Sequence, residues 1–514
     1  MKTRWLLCIV FFTAASLGRA TDSPNQNARH VVVVVWDGMR PDLVTQQNTP
    51  TLWKLGQEGV VFRNHHPVYF SATNVNGVAL ATGMYPGHSG VISNMEFRPR
   101  IDDRKPIDVT TRSAVLKGDE LSHGKYIAAP TVAELVRKSG GRTVIASSKT
   151  VGLLHDRPLG VPLVNNSITL VAGEVWPNES DISPAQMLGV FPKGHLDRDV
   201  WTTKALTEIL WKDSLPAFTV LWLDEPDLSQ HENAAGAPAA VRAMKSSDDN
   251  LAAVIAALDK HQATGRTNIF VVSDHGFSTI QRRVELPRIL ADAGFNVATE
   301  FKSDQRDREI MMVGAGGSVL FYVAEHKPAT IRRLVDFLQQ SDFAGVIFTR
   351  EAMEGTFALR QGQIDSADAP DVVMAFRWND QPNEYGIRGM IDADWQRGAN
   401  KGTHATLSRF DMRNTLIAAG PDIQKGKPND LPTGNVDLAP TILEILGVKS
   451  LPKMDGRILT EALVNGGAPP KPEAQTLEAS RTFPAGKWQQ YLRTSRVGTT
   501  VYLDEGNGSF EARN

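Results

Sequence analysis

Five short stretches of the chain are apolar at nearly every position and rich in β-branched residues. They are VVVVVW (31–36), RTVIASS (142–148), FTVLWL (218–223), TNIFVVS (267–273) and NTLIAAG (414–420). A strand with one face in water alternates apolar and polar residues, whereas a strand buried on both faces of a parallel sheet is apolar throughout. The five stretches therefore predict strands of a largely parallel, buried sheet.

Stretches with helical periodicity separate these predicted strands. The clearest are TPTLWKLGQEG (49–59), PTVAELVRKSGG (130–141) and AVRAMKSSDDNLAAVIAALDKH (240–261). The first two end in glycine, as helices often do. Strands that alternate with helices are typical of an α/β fold, so we predict a central sheet flanked by helices on both faces.

The pattern changes in two later regions. From about 280 to 400 the charges are scattered and the periodicity is weaker, which predicts an inserted α+β cap. The stretch GGAPPKPEAQ (466–475) predicts a Pro-rich linker, and the residues after it predict a pair of strands packing back on the core. The predicted plan is one large domain over 28–465 that contains the cap, followed by the linker and C-terminal strands over 466–514.

The first 20 residues have the parts of a secretory signal peptide. Lys2 and Arg4 form a basic start, an apolar run extends from Trp5 to Ala15, and small residues lead to a cleavage site after Ala20. A membrane anchor is the alternative, but the apolar run is well short of the ~20 residues that span a bilayer. We expect a secreted protein, periplasmic or extracellular, with no membrane span.

The composition of the chain limits its possible partners and metal ligands. The chain has 514 residues and a formal net charge of -2, so we expect no binding of nucleic-acid polymers. Cys8 is the only cysteine and lies in the predicted signal peptide, which leaves the mature chain without a thiol. Any metal ligands would have to be histidines and carboxylates. The sequence leaves the oligomeric state open.

Three predicted strands are followed by an aspartate. Asp37 follows VVVVVW, Asp227 lies just past FTVLWL, and Asp274 follows FVVS. The carboxyl ends of parallel strands share one edge of the sheet, where ligands bind. Because three carboxylates gathered in one crevice would repel one another, their convergence implies a bound cation.

Histidines accompany these aspartates. His231 is four residues after Asp227, a spacing that places both side chains on one face of a helical turn. His275 follows Asp274 directly, and His404 lies in a glycine-containing loop ahead of the last predicted strand. The six residues could form two carboxylate/imidazole sites, a ligand set that suits zinc.

A candidate nucleophile lies in the segment PVYFSATNVNGVALATGMYPGHSG (67–90). Thr73 stands at the start of its Ala-rich, helix-like part. A hydroxyl at a helix N-terminus lies beside backbone N–H groups and the positive end of the helix dipole, and both favour an anionic phosphoryl group. Metal ligation would favour the alkoxide over the alcohol.

Taken in order, the segments around these residues resemble the motifs of the type I phosphodiesterase/nucleotide pyrophosphatase family, within the alkaline phosphatase superfamily. The matching segments are WDGMRPD (36–42), NTPTL (48–52), ATGMYP (81–86), EPD with His231 (225–231), SDHG (273–276), GTH (402–404) and DLAPT (437–441). The resemblance spans residues from about 30 to 450. The ordered set is far more specific than any single motif.

The resemblance implies an alkaline phosphatase-like core, with 28–465 as the catalytic domain, and two Zn²⁺ ions per chain. It implies hydrolysis of a small-molecule phosphoester through a phospho-threonine intermediate on Thr73. Asn76 would match the family asparagine that donates to a non-bridging phosphate oxygen. The implied metal ligands are Asp227, His231 and His404 for one ion and Asp37, Asp274, His275 and Thr73 for the other.

Two positions depart from the family pattern. The stretch from Thr73 to Asn76 reads TNVN where Thr-Phe-Pro-Asn is usual, which is similar to the Thr-Asn-Pro-Asn of phosphonoacetate hydrolases. Ala405 stands where a glycine commonly follows the last histidine. The family resemblance therefore leaves the subfamily undecided.

The substrate depends on the charge of the centre. Two Zn²⁺ ions would balance three aspartates and a threonine alkoxide, which suits a monoanionic phosphodiester. A dianionic monoester would need a further cation, and Lys149, after the strand RTVIASS, is a candidate substrate-binding residue. Threonine-type phosphomonoesterases of the superfamily pair such a lysine with an arginine two positions on, where this chain has Val151. An ordinary surface lysine is the alternative.

We therefore expect a phosphodiesterase or nucleotide pyrophosphatase, with a phosphomonoesterase or phosphonoacetate hydrolase that uses Lys149 as the second hypothesis. A non-catalytic secreted metal-binding protein is a third hypothesis, disfavoured because every predicted ligand and the nucleophile are present. A sulfatase is disfavoured because the Cys/Ser-x-Pro-x-Arg stretch is absent around Thr73. Of the other histidines, His88 is the strongest candidate to support the site indirectly.

Overall fold

A computed structural model describes residues 29–157, 166–177, 182–301, 309–449 and 451–513. The predicted signal peptide, with Cys8, lies outside these ranges. No helix within them is both long and apolar enough to cross a membrane.

The strands and helices are numbered in chain order. The strands are β1 (His30–Trp36), β2 (Val60–Phe62), β3 (His65–His66), β4 (Met95–Glu96), β5 (Ile107–Asp108), β6 (Thr143–Ser147), β7 (Ile168–Val171), β8 (Glu174–Trp176), β9 (Phe218–Leu223), β10 (Thr267–Val272), β11 (Ser278–Arg283), β12 (Val297–Ala298), β13 (Ile310–Gly314), β14 (Ser318–Val323), β15 (Ala344–Thr349), β16 (Phe357–Ala358), β17 (Val372–Phe376), β18 (Trp378–Pro382), β19 (Arg388–Ala393), β20 (Gly402–Thr403), β21 (Leu416–Ala419), β22 (Lys427–Asn429), β23 (Thr433–Gly434), β24 (Pro472–Phe483), β25 (Gly486–Val497) and β26 (Thr500–Ala512). The helices are α1 (Pro50–Glu58), α2 (Thr73–Thr82), α3 (Pro86–Ser89), α4 (Arg112–Ser122), α5 (Val132–Lys138), α6 (Gly152–His155), α7 (Pro184–Leu188), α8 (His195–Lys204), α9 (Asp227–Asn233), α10 (Pro238–Lys260), α11 (Leu286–Asp292), α12 (Pro328–Gln339) and α13 (Leu438–Ile445).

The central sheet has nine strands in the order β22-β2-β21-β10-β1-β9-β6-β7-β8. The five strands from β10 to β7 are parallel to one another. Strand β1 is the middle strand of the nine, and its Val33 lies opposite Phe270 of β10 and Val220 of β9. Strands β21 and β8 run antiparallel to their neighbours. All five strands predicted from apolar stretches are in this sheet, which confirms the largely parallel α/β core.

Helices cover both faces of this sheet. Val31 and Val33 of β1 face a cluster that includes side chains of α2, α5 and α13. Val32 and Val34 face the other cluster, with side chains of α1, α8 and α10. A fully buried valine contributes about 1.5–3 kcal/mol relative to an exposed one, so burial on both faces favours the uninterrupted apolar sequence of β1.

In its described residues, the region predicted as a cap contains two sheets and two α-helices. A six-stranded sheet has the order β12-β13-β14-β17-β15-β16 and packs with α11 and α12. A four-stranded sheet, β18-β19-β11-β20, leads back toward the central domain and ends just before His404. The weaker periodicity of the sequence here reflects short, mostly antiparallel strands, and the predicted α+β character is confirmed.

The C-terminal residues form three antiparallel strands, β24-β25-β26, where the sequence predicted two. Strand β24 begins at Pro472, inside the predicted linker, because the first residue of an edge strand tolerates proline. The main chain of Gly506 accepts a hydrogen bond from Trp378 Nε1 and donates one to the Leu407 carbonyl. The C-terminal sheet therefore contacts both the cap and a loop of the main domain.

Tyr502 of β26 ties this sheet to the main domain. Its buried hydroxyl donates to Asp437 Oδ2 at 2.8 Å and accepts from Arg457 Nε at 3.1 Å. Its ring stacks on His66, with centroids 5.7 Å apart. The contact is polar and buried, so its loss leaves charged groups with fewer partners.

We predict that Tyr502→Phe lowers the free energy of unfolding by about 1.5–3 kcal/mol, the range for a buried hydrogen bond to a charged group. Urea denaturation followed by tryptophan fluorescence measures the change. Tyr385→Phe, at an exposed tyrosine, is the matched control and should have no effect. Equal stability of the two variants would show that the hydroxyl does not anchor the C-terminal sheet.

Candidate metal and phosphoryl-transfer site

The three aspartates predicted to converge lie together at the carboxyl edge of the central sheet. Asp37 follows β1, Asp274 lies just past β10, and Asp227 begins α9 shortly after β9. Strands β10, β1 and β9 are neighbours, so the topology alone brings the three side chains together. All three are buried.

One group of candidate ligands consists of Asp37, Asp274 and His275. Their ligand atoms lie within 4.8 Å of one another. His275 Nε2 is 3.5 Å from Asp37 Oδ1 and 3.3 Å from Asp274 Oδ2. Thr73 Oγ lies at the same place, 3.4 Å from Asp37 Oδ1 and 3.3 Å from His275 Nε2. The structure thus brings together all four residues that the sequence grouped around one metal.

A second group contains Asp227 and His404, and it shares His275 with the first. His404 Nε2 is 3.8 Å from Asp227 Oδ1, and His231 Nε2 is 3.3 Å from the same oxygen. The rings of His275 and His404 stack with centroids 3.8 Å apart. The sequence placed His275 in one site only, whereas the structure places it between the two groups.

The three histidines are oriented by the same kind of contact. In each ring Nδ1 donates to a main-chain carbonyl, which leaves the Nε2 lone pair for a ligand. The acceptors are Gly402 for His231 at 2.9 Å, Gly276 for His275 at 2.8 Å and Ser71 for His404 at 2.8 Å. This is the arrangement of metal-binding histidines.

The electrostatics of the group call for a cation. Asp227 Oδ1 and Asp274 Oδ2 are buried and accept no hydrogen bond. Burial and the neighbouring Asp274 carboxylate raise the pKa of Asp37 well above its usual range, even with a lysine beside it. Burial, with His275 close by, holds the pKa of His404 well below its usual range, so the ring is neutral. Carboxylates that repel one another, together with imidazole nitrogens, fit divalent metal ions such as zinc.

Lys149 lies inside this centre and is not a surface lysine. Its ammonium nitrogen is 2.9 Å from Asp37 Oδ2 and 2.8 Å from Asp227 Oδ2. Trp222 Nε1 also donates to Asp37 Oδ2 at 2.9 Å. Burial acts to lower the pKa of Lys149, but Asp227 and Asp37 hold it well above its usual range, so the side chain is charged.

Val151, which replaces the arginine of the threonine-type phosphomonoesterases, is a packing residue. It is buried against α2, where a Cβ added at Gly77 would lie 2.4 Å from Val151 Cγ2. The close approach of the two elements requires glycine at 77. It also leaves no room for a larger side chain at 151, so this position supplies no second cation.

Thr73 is the first residue of α2, as the sequence predicted. All ten residues of the helix are buried, which explains its Ala-rich, non-amphipathic sequence. The main-chain N–H of Asn74 is held by Asn94 Oδ1 at 2.8 Å. The nucleophile candidate is therefore carried on a rigid element with its hydroxyl at the helix N-terminus.

The structure gives Asn76 a role different from the predicted one. Its side-chain NH₂ donates to the carbonyls of Val68, Phe70 and Ala72, and its Oδ1 accepts from Val68 N and from Asn435 Nδ2. No donor remains for a phosphate oxygen. The prediction that Asn76 binds substrate is not supported by this geometry, and Asn76 instead holds the loop before Thr73.

Asn94 is a phosphate-binding candidate that sequence reasoning missed. Its side-chain oxygen accepts a hydrogen bond from the main-chain N–H of Asn74, the residue after Thr73, so the side-chain amide lies next to the start of α2. Asn94 is partly exposed, whereas Asn76 is fully buried. Only its contact with the main chain of Asn74 identifies it, since no local motif marks it.

The indirect support of the site comes from His65 and Asn435 and not from His88. His88 is exposed and contacts Asp455. Asn435 Nδ2 donates to the carbonyl of Asp274 and to Asn76 Oδ1, and His65 Nε2 donates to Asn435 Oδ1 at 2.9 Å. Burial lowers the pKa of His65 to about 3, so its ring is neutral and fixed in one tautomer.

Ala405, the departure from the usual glycine, has φ of +74°. This left-handed conformation favours glycine, and a residue with a Cβ adopts it at a cost. The residue is buried, and its carbonyl accepts a hydrogen bond from Ser318 Oγ. The backbone after His404 is therefore left-handed although the residue there is alanine.

Comparison with known proteins identifies the family of the chain. The family model described as type I phosphodiesterase/nucleotide pyrophosphatase matches residues 31–394. Ectonucleotide pyrophosphatase/phosphodiesterase family member 7 of Homo sapiens is 20% identical over 509 residues, which cover 97% of this chain and 98% of that protein. A bis(5'-adenosyl)-triphosphatase of Xenopus laevis is 23% identical over 270 residues, which cover 51% of this chain and 50% of that protein.

Solved structures show the same fold. Murine ectonucleotide pyrophosphatase/phosphodiesterase 5, as an inactive variant in complex with AMP, superposes with a TM-score of 0.60 at 16% identity, and the match covers 85% of this chain and 100% of that one. The human counterpart gives a TM-score of 0.59 with the same identity and coverage. The fold is alkaline phosphatase-like with a cap, and the chain belongs to the type I phosphodiesterase/nucleotide pyrophosphatase family.

Proposed function

We propose that the protein is a two-zinc phosphoric ester hydrolase that cleaves phosphodiester or pyrophosphate bonds through a phospho-threonine intermediate on Thr73. The observation that carries the proposal is the position of Thr73 Oγ, 3.4 Å from Asp37 Oδ1 and 3.3 Å from His275 Nε2, within a cluster of buried aspartates and histidines. One zinc ion would be held by Asp227, His231 and His404. Asp37, Asp274, His275 and Thr73 would hold the other.

The zinc ions, when bound, act as Lewis acids that favour the Thr73 alkoxide and offset charge on the leaving oxygen. The protein orients the reacting groups. Thr73 Oγ attacks phosphorus in line from the N-terminus of α2, and the ester bond on the opposite side breaks toward Asp227, His231 and His404. Water entering from that side then hydrolyses the phospho-threonine and restores the hydroxyl.

The equatorial oxygens of the phosphoryl group need donors. The NH₂ of Asn94 and the N-terminus of α2 both adjoin Thr73 and supply them. Such donors stabilise a transition state only if they are held in place beforehand. The hydrogen bond from Asn74 to Asn94, and the bonds of Asn76 to the preceding loop, provide that rigidity.

Lys149 favours a second candidate function, a phosphomonoesterase or phosphonoacetate hydrolase. Its charge, added to an otherwise neutral centre of two Zn²⁺ ions, three aspartates and an alkoxide, would suit a substrate with two negative charges. However, Val151 supplies no partner cation. The family membership favours diester or pyrophosphate cleavage as the first hypothesis. We also propose export to the periplasm or the cell exterior, on the pattern of residues 1–20.

We predict that the zinc-loaded protein has a higher kcat/KM for bis-p-nitrophenyl phosphate than for p-nitrophenyl phosphate. Thr73→Ala should lower turnover at least about 10³-fold, because it removes the attacking oxygen. Thr73→Ser keeps a hydroxyl and should retain measurable activity. Chelation should abolish activity, and zinc should restore it. Release of p-nitrophenol measures all of these.

The outcomes separate the hypotheses. A preference for the monoester would favour the second candidate function. Undiminished activity in Thr73→Ala would contradict the nucleophile assignment. A wild-type protein that turns over neither compound nor any pyrophosphate, yet binds zinc, would favour a non-catalytic metal-binding protein.

Two asparagine variants test the reassignment of the phosphate donor. We predict that Asn94→Ala lowers kcat/KM by about 10²-fold, since it removes one transition-state donor, while stability changes by less than about 1 kcal/mol. Asn76→Ala should instead destabilise the fold by about 2–4 kcal/mol, because it leaves buried main-chain groups unpaired. Steady-state kinetics and urea denaturation give both quantities. A stable Asn76→Ala protein without activity, beside an active Asn94→Ala, would restore the original assignment.

A further inference from the structure

Lys149 contacts one aspartate from each of the two groups of candidate metal ligands. Its ammonium contacts Oδ2 of Asp37 and Oδ2 of Asp227. In both aspartates the other oxygen, Oδ1, faces histidine Nε2 atoms, at 3.5 Å for Asp37 and His275 and 3.3 Å for Asp227 and His231. Each carboxylate thus presents one oxygen to the histidines and the other to the lysine.

The position of Lys149 is fixed by the sheet and its flanking turn. Ser147, the last residue of β6, accepts a hydrogen bond from Lys149 N and donates one to the Lys149 carbonyl. Strand β6 pairs with β9, which carries Trp222, the other donor to Asp37 Oδ2. Strand β6 and the turn after it therefore hold the ammonium group beside the two aspartates.

The charge of Lys149 has no substitute nearby. Within the described ranges, no other lysine or arginine nitrogen lies within 4.0 Å of Asp37, Asp227 or Asp274. Three buried carboxylates without a cation would be strongly unfavourable, because neither water nor a counter-ion would offset their desolvation. Before metal binds, Lys149 compensates two of them, Asp37 and Asp227.

We propose that Lys149 is the internal counter-ion of the metal centre: it keeps the metal-free protein folded, holds Asp37 and Asp227 with Oδ1 toward the histidines, and weakens zinc binding by its own positive charge. The inference rests on the proposed two-zinc function. It assigns Lys149 to the protein's own carboxylates, whereas the second candidate function assigns it to the substrate.

Lys149→Met removes the charge and keeps the length of the side chain. We expect the metal-free variant to melt about 5 °C or more below the wild type, because two buried carboxylates lose their partner. Its zinc Kd should be at least about tenfold lower, because a nearby positive charge no longer repels the ion. Calorimetry of chelated protein gives the melting temperature, and competition with a chromophoric chelator gives the Kd. Lys54→Met, at an exposed lysine, is the matched control and should change neither.

Lys149→Gln keeps a hydrogen-bond donor at this position but removes the charge. If metal-free Lys149→Met does not fold, zinc binding is measured on Lys149→Gln instead. An unchanged or higher zinc Kd in Lys149→Gln would overturn the proposal. So would an unchanged melting temperature of metal-free Lys149→Met with only a raised KM for monoesters, the pattern of a substrate-binding lysine. A wild-type protein that binds no zinc would overturn the proposed function itself.

Discussion

Asp37, Asp227 and Asp274 are buried together at the carboxyl edge of the central sheet. The electrostatic repulsion between their carboxylates is the constraint on which the rest of the centre depends. Two of their oxygens have no hydrogen-bond donor. The parallel arrangement of β10, β1 and β9 makes this convergence unavoidable, because each aspartate comes shortly after its strand ends. Cations close to the carboxylates offset this repulsion, and Lys149 together with the proposed metal ions would supply them.

Hydrogen bonds from the surrounding residues fix the positions of the side chains in this charged cluster. Main-chain carbonyls fix the three histidine rings with Nε2 inward. Asn435 connects the main chain at Asp274 with Asn76, which in turn holds the loop before Thr73. Through these bonds, one candidate metal ligand and the candidate nucleophile share a rigid support. A catalytic hydroxyl needs such support because small displacements from the attacking position slow a reaction greatly.

The features that could be predicted from the sequence are those that depend on short, local residue patterns. The uninterrupted apolar run of β1 indicated a strand buried on both faces, and the spacing of Asp227 and His231 indicated the short helix α9. The contacts of Asn76 do not support its predicted role in substrate binding, and the sequence could not show this, because an asparagine at a helix start looks the same whether it binds main chain or substrate. Asn94 was missed because only folding brings it to Thr73. The choice between His88 and His65 likewise depends on burial, which no motif encodes.

The arrangement of two metal ions around Thr73 is tested most directly by anomalous diffraction at the zinc edge from crystals of the zinc-loaded protein. The account predicts two peaks about 3.5–4 Å apart. One would lie within bonding distance of Asp227, His231 and His404, and the other of Asp37, Asp274, His275 and Thr73 Oγ. A single peak, or two peaks of which neither contacts Thr73, would contradict the proposed centre.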